Sequence, residues 1–582
     1  MNVSGKLESH IFRRLVLVYS IQYLALSLTG MVDCSIGGWF CGANGLAAMK
    51  LAMPVFAVTS FVGSTLGSGL SVTISKVLAG GDRGQANQIF RSGLAAACGM
   101  AVFLMLSGLL FPETLTIMLA GKATDPALLK QVTGYLLPVL IGSLPIILYD
   151  LLTMLAALEG ANRQIARSAI AILFTDIAGD LIAVRLDAGV MGIAVASVAA
   201  YLIACLIVAA HFFSKKTMFR MGLPTAPGRH LRNICTAGYP WGLQYLCAFL
   251  CPLLINRAML LYGTLPGLAA LSIEDAVRYL PECLCEGIAA TVLLLTGIFA
   301  AEQDRKALLN ERHDIIRFCL IGCTITAAVL ILAAPLLIML FTGEETVRFF
   351  GIRAFRWYLA GLPFLGINLA CTAYLQGLGK ERTASLLVAL NQLLLPAAFA
   401  WLLGRMFGTQ GIFAALAVHQ IVLALGFGGW LLARKLSTKY GWYGMESWTR
   451  TVAEVHRMIE TMDQVTDASR EVIALCESYG VDKKRATHIG LCLEELAANS
   501  VEHGFRDGKP HHLDIRFALG EKWLVLRLRD DCRPYDLTEQ YKLLHPDDPF
   551  SHIGLRLVYA SADDVSYSHA LDLNNVCIRI AW

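Results

Sequence analysis

Long apolar runs separated by short polar turns fill the chain to about residue 435, where the pattern changes. A membrane-crossing helix needs about 20 mainly apolar residues. Twelve runs meet that expectation: 12–33, 46–74, 92–112, 133–157, 165–186, 190–213, 234–262, 266–300, 317–341, 354–377, 384–407 and 411–433. The fifth and eighth of them carry carboxylates. After Trp448 the segments become shorter and amphipathic. Residues 451–480 and 483–505 read as helices, while HLDIRFAL, KWLVLRLRD, DVSYSHA and NNVCIRIAW alternate apolar and polar positions as strands with one buried face do. The pattern predicts a multi-span α-helical membrane protein of twelve helices. It ends in a C-terminal α/β two-layer sandwich large enough for its own core.

Composition agrees with the first part of that picture. Of 582 residues, 56% are hydrophobic and only 16% charged, against roughly 25% charged in soluble domains. A net charge of +4, with no basic tract interleaved with aromatics, argues against a nucleic-acid partner. Membrane lipid is the expected surrounding. Sixteen cysteines are present, but Cys283/Cys285 and Cys319/Cys323 lack paired zinc-type spacing and read as small buried hydrophobes. No small-residue cleavage site follows the first apolar run, so that run is expected to be a span rather than a signal peptide.

Lys and Arg concentrate in alternate loops: Arg13 and Arg14, then Lys76, Arg83 and Arg91, then Arg163 and Arg167, then Lys215 to Arg232. The alternation continues with Arg305 to Arg317, Lys380 and Arg382, and Arg434 to Lys439. Basic loops stay cytoplasmic, so both termini are expected there, in a multi-pass protein of the cell membrane. The basic connection 214–233 splits the spans six and six, giving lobes 1–213 and 234–435, a linker 436–450 and a tail 451–582. A Gly-Leu-Ala-Ala step opens the second helix of each lobe, as internal repeats do in secondary transporters.

Carboxylates inside a membrane are costly and mark ion or substrate paths. Asp33 ends the first span. Asp176 and Asp180, four apart, share a face of the fifth. Converging carboxylates in a low dielectric cannot all stay ionised, so they hold a proton or a cation. A helix-end residue and a solvated face are the plainer readings of these three. Span eight carries Glu274, Asp275, Glu282 and Glu286 around Arg278, either a substrate or ion site or an internally paired, water-lined segment. Spans seven and ten offer only Gln244, Asn256 and Asn368. The loop GGDRGQAN at 80–87 lacks the strand and glycine spacing of a phosphate cradle and reads as a structural hairpin.

In the tail, Glu495 and Asn499 lie four apart on one helix, with Glu502, His503 and Gly504 following. An amide oxygen can ligate Mg²⁺ while a nearby carboxylate polarises a hydroxyl or water. Asp530 ends a strand, where it can accept from an adenine amino group, and Gly554 opens a helix whose amides can face phosphate. This order of parts makes an isolated solvated face a poor account of Glu495 and Asn499.

Two resemblances follow from these residues. MVDCSIGGWFCGANGLAAMKLAMPVF, GGDRGQAN, GVMGIAVASVAAYL, YLQGLGKERTASLL and GTQGIFAALAVHQ resemble the multidrug and toxic compound extrusion (MATE) transporters, over residues 1 to about 435. The resemblance implies exchange of Na⁺ or H⁺ for an organic, often cationic, substrate, with Asp33, Asp176, Asp180 and Ser197 as the amino-terminal cation site. Asp176 stands where Asn is usual, and Ser197 where Thr is. The tail resembles the ATP-binding fold shared by gyrase and histidine kinases (GHKL), most of all in anti-sigma-factor serine kinases. Glu495, Asn499, His503 and Gly504 match its E-x-x-x-N-x-x-x-H-G block; Asp530, Pro534 and Asp536 match its adenine block; Gly554 and Leu555 match its phosphate block. That implies ATP with Mg²⁺, Glu495 as the catalytic base and Asn499 as the metal ligand. Cys532 and His552 stand where the family has glycine, and an added side chain there crowds the nucleotide. Three functions stay open: an antiporter with a nucleotide-binding regulatory or sensor domain, a membrane-tethered serine kinase acting on an anti-anti-sigma-type protein, and a degenerate ATPase-fold docking module.

Overall fold

The computed structural model describes residues 3–78, 82–120, 126–214, 217–220, 222, 228–301, 305–341, 344–437, 451–507, 511–520, 523–542, 553–570 and 573–582. His552 lies outside the described residues. Up to Ser437 the described chain is helical. Nine helical stretches among the described residues are long and apolar enough to cross a membrane, or ten if a bent pair counts as one span. That pair, Leu128–Ile141 and Ser143–Leu158, meets at 49°. Pro138 cannot donate to the helical ladder, and Gly142 sits at the bend, so the kink has a local cause.

The count falls short of twelve at two places, each with a chemical reason. The helix Asn162–Arg185 coincides with the fifth expected span but is too rich in charged residues to qualify by composition. The run Glu381–Trp430 counts once by length, although Gly408, at φ 59° and ψ −141°, breaks its helical geometry where the eleventh and twelfth expected spans meet. The eighth expected span is also divided, into Leu265–Val277 and Tyr279–Ala301, with Arg278 at the join.

The two lobes meet along a crossing of Gly42–Leu78 with Leu231–Tyr262. Glycine makes the approach possible. A Cβ on Gly238 would overlap the Thr65 carbonyl oxygen, and one on Gly69 would overlap that of Ile234. Polar groups tie the crossing. Ser68 Oγ donates to the Gly238 carbonyl (3.3 Å), and Gln376 Nε2 donates to the Ala237 carbonyl (2.7 Å). All of this lies near the end of the bundle where Leu78 finishes one helix and Leu231 begins the other.

The tail forms a five-stranded antiparallel sheet from β1 (Thr451–Ile459), β2 (Leu513–Gly520), β3 (Trp523–Asp530), β4 (Asp564–Ala570) and β5 (Leu573–Ala581), in the order β1-β2-β3-β5-β4. Helices Met462–Ser478 and Lys483–His503 share a core with the sheet through Val472, Ile489, Leu493, Phe517, Leu526 and Ile578, separate from the core of the membrane part. β1 corrects the reading of 451–480 as one helix. In TVAEVHRMI the fully buried Val455 and Ile459 share one face with the half-buried Ala453, and the stretch pairs with β2 along its length.

Candidate functional site

Asp33, from the helix Val3–Phe40, and Asp176 and Asp180, from Asn162–Arg185, converge inside the amino-terminal lobe. One carboxylate oxygen of each lies within 4.8 Å of the other two. The residues are only 8%, 2% and 0% exposed. Ser197, from Gly189–Phe212, donates through Oγ to Asp33 Oδ2 at 3.1 Å and to its own helix at the Ile193 carbonyl. Asp33 Oδ1, Asp176 Oδ1 and both Asp180 oxygens are buried without a hydrogen-bond partner. Three carboxylates with four orphaned oxygens cannot persist as three bare charges, because burying an uncompensated charge costs several kcal/mol. The oxygen-only donor set suits a proton or a hard monovalent cation.

In the other lobe, Arg278 pairs with Asp275 (3.2 Å) and stands 3.9 Å from Glu282, while Tyr358 OH donates to Glu282 at 2.6 Å. Glu274 is 1% exposed and its Oε1 has no partner. With Asn256, His419 and Gln420 these residues line a cavity of about 60 Å³, larger than the ~10–15 Å³ a water molecule needs. Three carboxylates face one guanidinium there. Asn368, whose Nδ2 donates to Gln420 Oε1 (2.8 Å), closes the wall behind it. Glu286 is not part of that lining. Gln244 donates to its carboxylate instead, so the i, i+4 pair Glu282 and Glu286 faces two different settings.

Glu286 belongs with a residue the sequence reading passed over. Asp150, on Ser143–Leu158, lies against Gly63, where a Cβ would come within 3.0 Å of its Oδ2. Tyr23 and Tyr245 both lie within electrostatic reach of Asp150 and of Glu286, and Tyr201 adds a third ring beside Asp150. Carboxylates from both lobes thus share an aromatic setting. The signal was available in the sequence, since a lone aspartate in LYDLLTML is an intramembrane carboxylate like the others.

In the tail, Glu495 and Asn499 project from Lys483–His503, with Asn499 and His503 exposed. Gly554, in the first turn of the helix Ile553–Ser561, sits directly against the Glu495 carboxylate, which would have to swing aside for a Cβ there. Asp530 closes β3 at 7% exposure and accepts three hydrogen bonds: from Ser500 Oγ (2.9 Å), Asn574 Nδ2 (2.7 Å) and the Cys532 backbone N–H (3.0 Å). A carboxylate offers about four acceptor positions, which leaves one for an incoming amino group. Ser500 and Asn574 are positioning residues that sequence spacing did not reveal. Cys532 Sγ packs where a side chain on Gly504 would collide. The exposed amide of Asn499, the carboxylate of Glu495 and the bare backbone of Gly554 therefore suit a magnesium nucleotide.

The tail also touches the membrane part. Arg83, at the start of Arg83–Leu110, pairs with Asp536 and stacks its guanidinium 5.0 Å from the Tyr567 ring. Arg529, at the end of β3, stands 5.9 Å from the ring of Phe299 near the end of Tyr279–Ala301. The hairpin reading of 80–87 omitted this role for Arg83. Next to it, Asn87 and Arg91 bind residues 218–220, with Asn87 Oδ1 accepting from the Arg220 N–H (2.6 Å). The buried Glu159 accepts from Thr217 and from the Met218 N–H (2.6 Å).

Known proteins match in the same two parts. Residues 19–182 match the MatE family model, and residues 459–582 match the histidine kinase-like ATPase domain. The multidrug export protein MepA of Staphylococcus aureus (strain N315) is 23% identical over 409 residues, which are 68% of this chain and 87% of that protein. An outward-facing multidrug resistance MATE family transporter of the MOP superfamily superposes with a TM-score of 0.68 at 20% identity, covering 73% of this chain and 96% of that one. A MOP superfamily transporter from Pyrococcus furiosus Vc1, described as having a binding pocket of reversed polarity, gives 0.67 at 20% identity, covering 74% and 97%. The chain thus joins a membrane part that has the MATE fold and matches the MatE model over 19–182 to a domain that matches the histidine kinase-like ATPase model.

Proposed function

We propose that the protein is a secondary active antiporter, coupled to H⁺ or Na⁺, that exports organic cations and carries an ATP-binding regulatory domain on its cytoplasmic side. The cluster of Asp33, Asp176, Asp180 and Ser197 carries the first half of this reading. Cation entry would neutralise the cluster and let its helices close together. Exit would restore repulsion between carboxylates held within 4.8 Å of one another. Asp150 and Glu286, with Tyr23 and Tyr245 within electrostatic reach of both, are the proposed contacts of a cationic, apolar substrate, because cations bind both carboxylates and the faces of aromatic rings. The names of the relatives, multidrug export protein and multidrug resistance transporter, agree with that substrate class.

In this reading the membrane part has twelve spans in lobes 1–213 and 234–435. Asn162–Arg185 counts as one of them, and 381–430 as two. The excess of Lys and Arg in alternate loops puts both termini in the cytoplasm. In the domain at 451–582, Asn499 would ligate Mg²⁺, Glu495 would orient a water or hydroxyl, Asp530 would accept from adenine, and His503 and Gly554 would border the phosphates. ATP, when bound, would supply the negative charge and the adenine amino group that these residues are placed to meet. The contact of Asp536 with Arg83 favours regulation of the transporter over a tethered kinase serving an anti-anti-sigma-type partner, since the adenine-block aspartate faces the transporter itself.

Flux in vesicles decides the main point. Purified chain in liposomes with an imposed Na⁺ or proton gradient should move a fluorescent organic cation, and Asp33→Asn should abolish the dependence on the gradient. Unchanged gradient-driven flux in Asp33→Asn would end this reading.

A further inference from the structure

His511, Asp531 and Cys532 lie beside the nucleotide-type residues, and their side chains take no part in the roles assigned above. One ligand atom of each (a ring nitrogen, a carboxylate oxygen and a sulfur) lies within 4.8 Å of the other two. The side chains of His511 and Asp531 are 8% and 33% exposed, and Cys532 is buried at 8%. Each is held in place by its surroundings. The His511 ring stacks on Phe505, with centroids 5.5 Å apart and planes 18° from parallel. Asp531 Oδ1 accepts from the His512 N–H (3.1 Å) and from His511 Nδ1 (3.0 Å). Cys532 packs against Gly504, and its N–H donates to Asp530 Oδ1 at 3.0 Å.

We infer that these three side chains form a site for a borderline-soft divalent metal ion of the Zn²⁺ class, with a water as fourth ligand. Mixed nitrogen, oxygen and thiolate donors select such ions over Mg²⁺ or Ca²⁺, which take oxygen alone. Tetrahedral zinc holds its ligands about 2.0–2.3 Å away, so ligand atoms already within 4.8 Å of one another need move little. Binding displaces the Cys532 thiol proton, and the His511 ring takes the tautomer with its proton on Nε2, so that Nδ1, which faces Asp531, is the ligand. The thiolate is the donor with no oxygen-chemistry equivalent, and it is supplied by the residue standing where the resembling family has glycine. The site joins His511, just before β2, to the turn leaving β3. If the nucleotide reading holds, metal loading also stiffens the turn next to Asp530 and so changes ATP affinity.

Cobalt substitution of the full chain in detergent tests this without reference to transport or ATP. The parent should retain one metal per chain after dialysis and show near-ultraviolet thiolate-to-cobalt absorption. Cys532→Gly, which installs the family residue and so keeps the fold, should lose that absorption. His511→Ala should weaken zinc binding by at least the ~10–100-fold that removing even an outer partner costs. Absorption that persists in Cys532→Gly, as binding by other thiols such as Cys285 and Cys323 (3.7 Å apart) would give, overturns the proposal. So does a parent chain that retains no metal.

Discussion

Asp530 concentrates the chemistry of the tail in one side chain. Ser500, Asn574 and the Cys532 N–H occupy three acceptor positions and fix the carboxylate, leaving one position for a ligand. Asp530→Asn replaces one oxygen by a donor and removes the charge. Hydrogen bonds to charged groups are worth about 1.5–3 kcal/mol, so ATP affinity of the full chain, measured by calorimetric titration, should fall by about tenfold or more. Equal affinity in parent and variant would show that the carboxylate is not the adenine contact. Glu495 and Asn499 were legible in the sequence because four residues is one helical turn, and a shared face needs nothing beyond the local chain. Ser500 and Asn574 were not, because the chain folds back 30 and 44 residues to bring them to Asp530, and no local spacing encodes that return. Cys532 was legible only as a departure from glycine. Its companion His511 came into view once the turn after β3 was placed beside it.

Element by element, the apolar runs foretold helices well and their breaks less well. A hydrophobic run reports burial in lipid or protein, not whether the backbone inside it bends. That is why the join at Arg278 and the left-handed Gly408 appear only in three dimensions. β1 escaped for another reason. Nine residues of alternating pattern run almost directly into a strongly amphipathic helix, and the longer signal absorbed the shorter one. The glycine crossing of Gly42–Leu78 with Leu231–Tyr262 is the element whose disturbance has the clearest expected result. Gly238→Val forces the two helices apart where a Cβ has no room, and overpacking of this kind costs about 1–3 kcal/mol. The lobes should then favour the state open at this end by about 5–150-fold. A Ser68→Cys reporter in that background should react faster with an impermeant maleimide from the tail side, while export slows. Unaltered labelling would mean that the crossing does not gate this end.

The whole molecule couples two machines through few contacts. Arg83 follows the second helix of one lobe and Phe299 ends a helix of the other, so the tail bears on both halves at the end where the glycine crossing closes them. In the antiporter reading, alternating access would move those halves relative to one another, and a domain that grips both would favour one arrangement. ATP inside the vesicle should therefore change the efflux rate of the parent, and Arg83→Ala should reduce that response by about fivefold or more, in keeping with ordinary coupling energies. A variant with an undiminished ATP response would place the coupling elsewhere. The division into a membrane part and an α/β tail was legible from hydropathy alone, but the docking was not, because Arg83 and Asp536 are separated by hundreds of residues and each looks like an ordinary surface charge. The covalent join between Ser437 and Thr451 gives that docking a concentration of its own. A short tether holds two surfaces at an effective concentration on the order of millimolar. Contacts such as the Arg83–Asp536 pair and the two ring contacts, weak for recruiting a free partner from solution, gain weight when the partner is covalently attached. In the antiporter reading, the same covalent join would let the grip release and re-form without the regulator being lost.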